Sequence, residues 1–316
     1  MTLVLPGVDH PWTPTSPCGP GCLPPPTPTP PLRRAVRTLR AAARLGGIGV
    51  VLATGALLVL VAPRLEPRRA GHVQRRWAMM LLAAVGVRVE LHGPPPGPGS
   101  LVVANHVSWL DVLAVATVVP VRLLAKREVR SWPLIGLMAA RVGTVFLDRQ
   151  RLHALPVAVS AVAATLRTGG RVGVFAEGTT RCGRTRGRFR PAAFQAAIDA
   201  AAPVVPLALS YTDTAGTPCT SVAFVGDDTL WSSLTRVAGA PRVVVRLEVL
   251  DVLRPGTEPF PASVCSGIHR GRAAGRRDLA ARCAAAVEEA LVGRAAPGPA
   301  PDVTVPEPVQ EFSRAA

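Results

Sequence analysis

From Val87 onward the chain alternates short aliphatic and β-branched runs with helical stretches, and this alternation restricts its fold more than any other feature. Strands are expected at residues 87–91, 101–104, 121–125, 144–147, 172–176, 204–211, 222–225 and 243–250, and helices at 108–118, 133–141, 153–167 and 191–201. Pro94 to Gly99 reads as a turn between strands, and an amphipathic helix over 276–291 closes the series. Such an order calls for an α/β domain, residues 87–293, with a mostly parallel central sheet flanked by helices.

The flanks read differently. Residues 1–32 are Pro-rich and residues 294–316 lack periodicity, so both are expected to be disordered. Between them, residues 33–86 read as apolar membrane-associating helices. The 19 residues from Leu45 to Pro63 carry no charge. As a helix they would reach about 28 Å at ~1.5 Å per residue, close to a hydrocarbon core of about 30 Å. Arginines crowd both ends, so charge does not orient the segment. A second apolar helix from Trp77 to Val85, preceded by Arg75 and Arg76, suits a lipid interface or a hairpin with the first.

A formal charge of +16 invites an anionic partner. Nearly all of it is arginine, Lys126 being the only lysine, as a GC-rich genome's codon usage produces. With aromatics at 4% and one tyrosine, the chain lacks base-stacking platforms, so no nucleic acid is expected and a phosphate-bearing ligand or a membrane surface remains. The six cysteines show no repeated pair at metal-ligand spacing, and Cys18-Gly-Pro-Gly-Cys22 stands alone in the Pro-rich segment. A reduced, cytosolic enzyme with no metal is the expectation.

In parallel α/β sheets ligands gather at the carboxyl ends of strands, and three polar loops fall there. The first is Asn105-His106-Val107-Ser108-Trp109-Leu110-Asp111, where Ser108 and Asp111 have the form of a capping box. A helix starting at Ser108 would leave His106 just outside it and put Asp111 on its third or fourth position, folded back to the imidazole. That is a base with its orienting acid. The second loop holds Asp148 and Arg149, and the third runs from Glu177 through Gly178, Thr179 and Thr180 to Arg181.

These loops resemble, in order, the sequence blocks of the glycerolipid acyltransferase family typified by 1-acylglycerol-3-phosphate O-acyltransferase. Asn105 to Asp111 matches the N-H-x-x-x-x-D block residue for residue, Phe146 to Arg149 the second block, and Phe175 to Thr179 the third, usually F-P-E-G-T-R. Val204-Val205-Pro206 resembles the fourth, and Phe189-Arg190-Pro191-Ala192 resembles the F-K-x-G segment. Two departures fall in the third block, where Ala176 replaces a proline and Thr180 stands at the arginine, with Arg181 one place later.

The resemblance implies a membrane-associated enzyme moving a fatty acyl chain from acyl-CoA or acyl carrier protein to the free hydroxyl of lysophosphatidic acid, giving phosphatidic acid. His106 and Asp111 would be catalytic, Arg149 would clamp the phosphate, and Glu177, Gly178, Thr179 and Arg181 would shape the acceptor site. Free backbone N–H groups at Gly178 and Thr179 would be oxyanion donors. No cofactor is implied beyond the thioester co-substrate, and the catalytic domain is expected on the cytoplasmic face of a bacterial inner membrane. The altered third block leaves another lysolipid acceptor open, such as a lyso-ornithine lipid or a lysophospholipid. A non-catalytic basic membrane or nucleic-acid-binding adaptor is the alternative of another class, opposed by the intact His106 and Asp111. No G-x-S-x-G elbow of a serine hydrolase is present.

Overall fold

A computed structural model of the chain describes residues 16–25, 30–61, 67–132, 135–148, 154–226, 228–256 and 268–293. Seven strands form one sheet: β1 (Val87–His92), β2 (Leu101–Ala104), β3 (Arg122–Lys126), β4 (Val145–Leu147), β5 (Val172–Phe175), β6 (Val204–Asp213) and β7 (Val243–Val249). Their order is β1-β7-β6-β2-β5-β3-β4, and every neighbouring pair is parallel except the antiparallel β6–β7. The expected mostly parallel sheet is therefore present.

Strand β2 shows why the sheet is organised as it is. Its four residues, Leu-Val-Val-Ala, are all buried, as a strand covered on both faces requires. Side chains alternate across a strand. Val102 and Ala104 accordingly join one core, and Leu101 and Val103 the other. The first core is roofed by α2 (Pro67–Val85), α3 (Leu110–Val118) and α7 (Leu230–Gly239), with α1 (Pro31–Val61) packed on α2 and α7. The second is roofed by α5 (Ala154–Arg167), α6 (Ala192–Asp199) and α8 (Ile268–Val292). A short α4 (Ile135–Arg141) precedes β4.

Helices α1 and α2 form a hairpin locked by the Trp77 indole, which donates to the Val51 carbonyl at 2.8 Å. Gly55 makes room for that ring, since a Cβ there would lie 2.6 Å from Trp77 Nε1. Helix α1 starts at Pro31, well before Leu45, so the arginine-rich stretch is continuous with the apolar one. Arg44 then reaches α7 and donates to the carbonyls of Val237, Ala238 and Ala240, at 3.4, 3.2 and 2.7 Å. A guanidinium there satisfies acceptors at a helix end and complements its dipole.

Several expectations shift. Residues 222–225 are not a strand, although Val222, Ala223 and Val225 are buried. Instead the Phe224 N–H donates to Val107 O at 3.0 Å, so this segment braces the first polar loop. Helix α7 was not anticipated, though it carries a reciprocal capping box between Thr229 and Ser232. Within the expected N-terminal disorder, residues 16–25 include a turn of 3-10 helix (Pro20–Cys22), and Cys18 is 4% exposed.

Candidate functional site

The sheet brings the first and third polar loops together because their strands, β2 and β5, are parallel neighbours paired residue for residue. Asn105, directly after β2, is held by two backbone hydrogen bonds to Leu209 of β6. Its Nδ2 donates to Leu209 O at 2.9 Å and its Oδ1 accepts from Leu209 N at 2.8 Å. Only a side-chain amide offers that donor–acceptor pair at this length, which explains asparagine before the histidine.

The helix begins two residues later than expected, at Leu110, so Asp111 is its second residue and Ser108 lies outside it. The capping box is half formed. Asp111 Oδ2 reaches back and accepts from the backbone N–H of Ser108 at 2.8 Å and of Val107 at 2.6 Å. Ser108 Oγ, in contrast, meets Leu110 N at only 3.4 Å. The same Oδ2 lies 2.8 Å from His106 Nδ1.

This network assigns the imidazole tautomer. Two backbone N–H groups can only donate to Oδ2, so that oxygen accepts, and Nδ1 must carry a proton to bond it. Nε2 is then the lone-pair nitrogen. The ring is fixed further by stacking on Phe175, with centroids 4.1 Å apart and planes at 12°. His106 keeps 19% of its side chain exposed while Asp111 has none.

Tyr211 completes the network and escaped sequence reasoning. Its hydroxyl donates to Asp111 Oδ1 at 2.5 Å from the buried face of β6. Burial, and the carboxylate beside it, push its pKa well above the ordinary 10.0, so it remains a donor. The available signal was its singularity, the one tyrosine of the chain, directly after the apolar run Val204 to Leu209 and Ser210.

Glu177 is placed differently from expectation. Its carboxylate is turned into the protein, accepting the His106 N–H at 2.8 Å and the Gly187 N–H at 2.7 Å, with 6% of the residue exposed. Burial raises its pKa above 4.5, outweighing these two backbone donors and the nearby Arg181. Arg181 Nε lies 3.7 Å from Glu177 Oε1 without a hydrogen bond, and the Arg181 N–H donates to His106 O at 2.8 Å. Glu177 and Arg181 thus grip the peptide units of the base itself.

Gly178, at φ 77°, takes a left-handed turn that glycine favours. Its N–H donates to Phe175 O at 3.1 Å, which removes it as the expected free oxyanion donor. Thr179 is half-buried beside it. Thr180 replaces the family's arginine, and its hydroxyl donates to Phe224 O at 2.6 Å. Ala176 N–H bonds Ala104 O at 3.2 Å, a rung that the proline usual at this position could not supply. Arg149 lies outside the described residues; Asp148 before it accepts from Arg127 at 2.7 Å.

A family model described as Acyltransferase matches residues 87–210. The chain is 39% identical over 176 residues to the 1-acyl-sn-glycerol-3-phosphate acyltransferase of Neisseria meningitidis serogroup B, covering 54% of this chain and 68% of that protein. It is 34% identical over 267 residues to the lyso-ornithine lipid O-acyltransferase of Pseudomonas aeruginosa, covering 83% of this chain and 96% of that protein. The solved 1-acyl-sn-glycerophosphate acyltransferase PlsC of Thermotoga maritima shares the fold, with a TM-score of 0.60 at 17% identity over 84% of this chain and all of that one.

Proposed function

The chain belongs to the acyltransferase family of these relatives, and on that premise we propose that it transfers a fatty acyl group from acyl-CoA or acyl carrier protein to the free hydroxyl of lysophosphatidic acid. The observation that carries the reading is the 2.8 Å contact between His106 Nδ1 and Asp111 Oδ2, with Asp111 further fixed by two backbone donors and Tyr211.

An alcohol is a poor nucleophile near neutral pH, and catalysis needs a base at the moment of attack. Nε2 takes the hydroxyl proton as the oxygen bonds to the thioester carbonyl. The imidazolium that results is stabilised by the acceptor Asp111. Collapse of the tetrahedral intermediate breaks the C–S bond, and the leaving thiolate recovers the proton from Nε2. Arg149 clamps the acceptor phosphate through paired, charge-assisted bonds. The exposed apolar residues Val50 and Leu57 of α1, with Met79 and Met80 of α2, support seating at a membrane surface.

A lyso-ornithine lipid is the second acceptor reading. It is favoured by the match along nearly the whole Pseudomonas protein and by Thr180 at the arginine position of the third block. A radiolabelled acyl-donor assay against lysophosphatidic acid, lyso-ornithine lipid and other lysolipids separates the two. His106→Ala should lower turnover by at least about 100-fold with an unchanged circular dichroism spectrum. A variant retaining near-normal turnover rejects His106 as the base. Arg149→Ala should raise the KM for a phosphorylated acceptor while leaving the KM for the thioester alone; an unchanged acceptor KM removes the clamp.

A further inference from the structure

The fold brings Cys182 of the third polar loop against the Cys18-Gly-Pro-Gly-Cys22 turn, with the three Sγ atoms all within 4.8 Å of one another. We propose that these three thiols bind a zinc ion that fastens the N-terminal segment onto the loop behind His106.

Four observations carry this. The first is convergence from far apart in sequence: Cys18 and Cys22 have the three-residue spacing common among zinc ligands, and Cys182 lies 164 residues beyond Cys18. Tetrahedral zinc with bonds of about 2.3 Å sets sulfurs roughly 3.8 Å apart, so the observed cluster needs only a small contraction.

Second, the cluster is tied together by hydrogen bonds to sulfur. Cys182 N–H points at Cys18 Sγ at 3.3 Å, and the Thr185 hydroxyl lies 3.2 Å from the same sulfur. Contacts of this kind orient sulfur ligands.

Third, the site is enclosed and bolted down. Cys18 and Cys182 are 4% and 2% exposed. Ser16 Oγ donates to Thr180 O at 2.8 Å, and Gly226 packs on the Cys18–Gly19 peptide. Thr185 Oγ1, 3.2 Å from Cys18 Sγ, is placed to hold a water in the fourth position that three protein ligands leave.

Fourth, charge is compensated. Three thiolates and one zinc leave a net charge of −1, in a loop that runs from Arg181 to Arg190 through Arg184, Arg186 and Arg188. On binding, each thiol that was protonated releases its proton to solvent. A disulfide would join two of the three sulfurs and leave the third as a thiol.

The test uses the purified full chain from cells grown in zinc-supplemented medium. Elemental analysis should find about one zinc per chain, released by a mercurial thiol reagent and detected with a metallochromic dye. Cobalt in place of zinc should give thiolate-to-metal charge-transfer bands. Cys18→Ser, Cys22→Ser and Cys182→Ser should each weaken zinc binding by more than the roughly 10- to 100-fold that loss of a supporting residue costs. Cys219→Ser, whose sulfur sits beside Ser221 instead, should leave it unchanged. Circular dichroism of each variant identifies any that fails to fold, and the cobalt spectrum of the wild-type chain decides independently of them. A chain that neither carries nor takes up zinc, or zinc content equal in all four variants, overturns the proposal. So does peptide mapping of the freshly purified chain that finds a disulfide joining two of Cys18, Cys22 and Cys182.

Discussion

At the level of single residues, Asp111 is the pivot. Its carboxylate accepts four hydrogen bonds, from His106, Val107, Ser108 and Tyr211, and is fully buried. A buried charge is tolerable only when so satisfied, and bonds to a charged group are worth about 1.5–3 kcal/mol each. Tyr211→Phe removes one of them while keeping the ring. It should lower unfolding free energy by about that amount and reduce turnover with little change in KM, measured by urea denaturation and steady-state kinetics. Because the Tyr211 pKa stands well above 10.0, the loss should be constant across the working pH range. A variant as stable and active as the parent would leave the tyrosine without a role.

The pairing of His106 with Asp111 was legible because it is local, two side chains five residues apart at the end of an apolar run. Tyr211, 100 residues from its partner, and Glu177, turned inward toward the His106 peptide, depend on strand order, which no local pattern encodes. The three-thiol cluster is the same case at longer range.

Among the elements, the strands of the sheet interior were readable from their apolar runs, and residues 101–104 coincide with β2. Residues 222–225 misled because burial alone imitates a strand. Their apolar side chains pack under the His106 loop while their backbone groups serve loop contacts, Phe224 N–H to Val107 O and Phe224 O from Thr180. The α1–α7 contact depends on one residue. Arg44→Ala strips donors from three carbonyls and should lower stability by about 1–3 kcal/mol. Limited proteolysis should then cut between α1 and the sheet domain faster than in the parent chain. Equal cleavage rates would mean that packing alone holds the helix.

For the molecule as a whole, one described helix, Pro31–Leu57, is long and apolar enough to cross a membrane, and little of it is covered by the rest of the chain. Val50 is 66% exposed on it. A charged residue at the centre of a membrane helix costs about 2.5–3.5 kcal/mol on insertion scales, so Val50→Glu should weaken vesicle binding by roughly 100-fold in flotation assays. In a helix that meets only water the same change would leave flotation unaltered. The +16 charge should make binding stronger on anionic than on neutral vesicles and sensitive to salt.

Arg44's grip on α7 also ties the apolar helix to the domain that carries the catalytic centre. Its guanidinium passes beside Gly86, where a Cβ would lie 2.1 Å from one of its nitrogens, so α1, α7 and the entrance to β1 meet around one side chain. A helix joined this way acts as a strut, not a leash. On the membrane seating proposed above, the depth to which α1 sinks fixes the height of His106 over the lipid headgroups, and bilayer thickness becomes a quantity to which the rate responds.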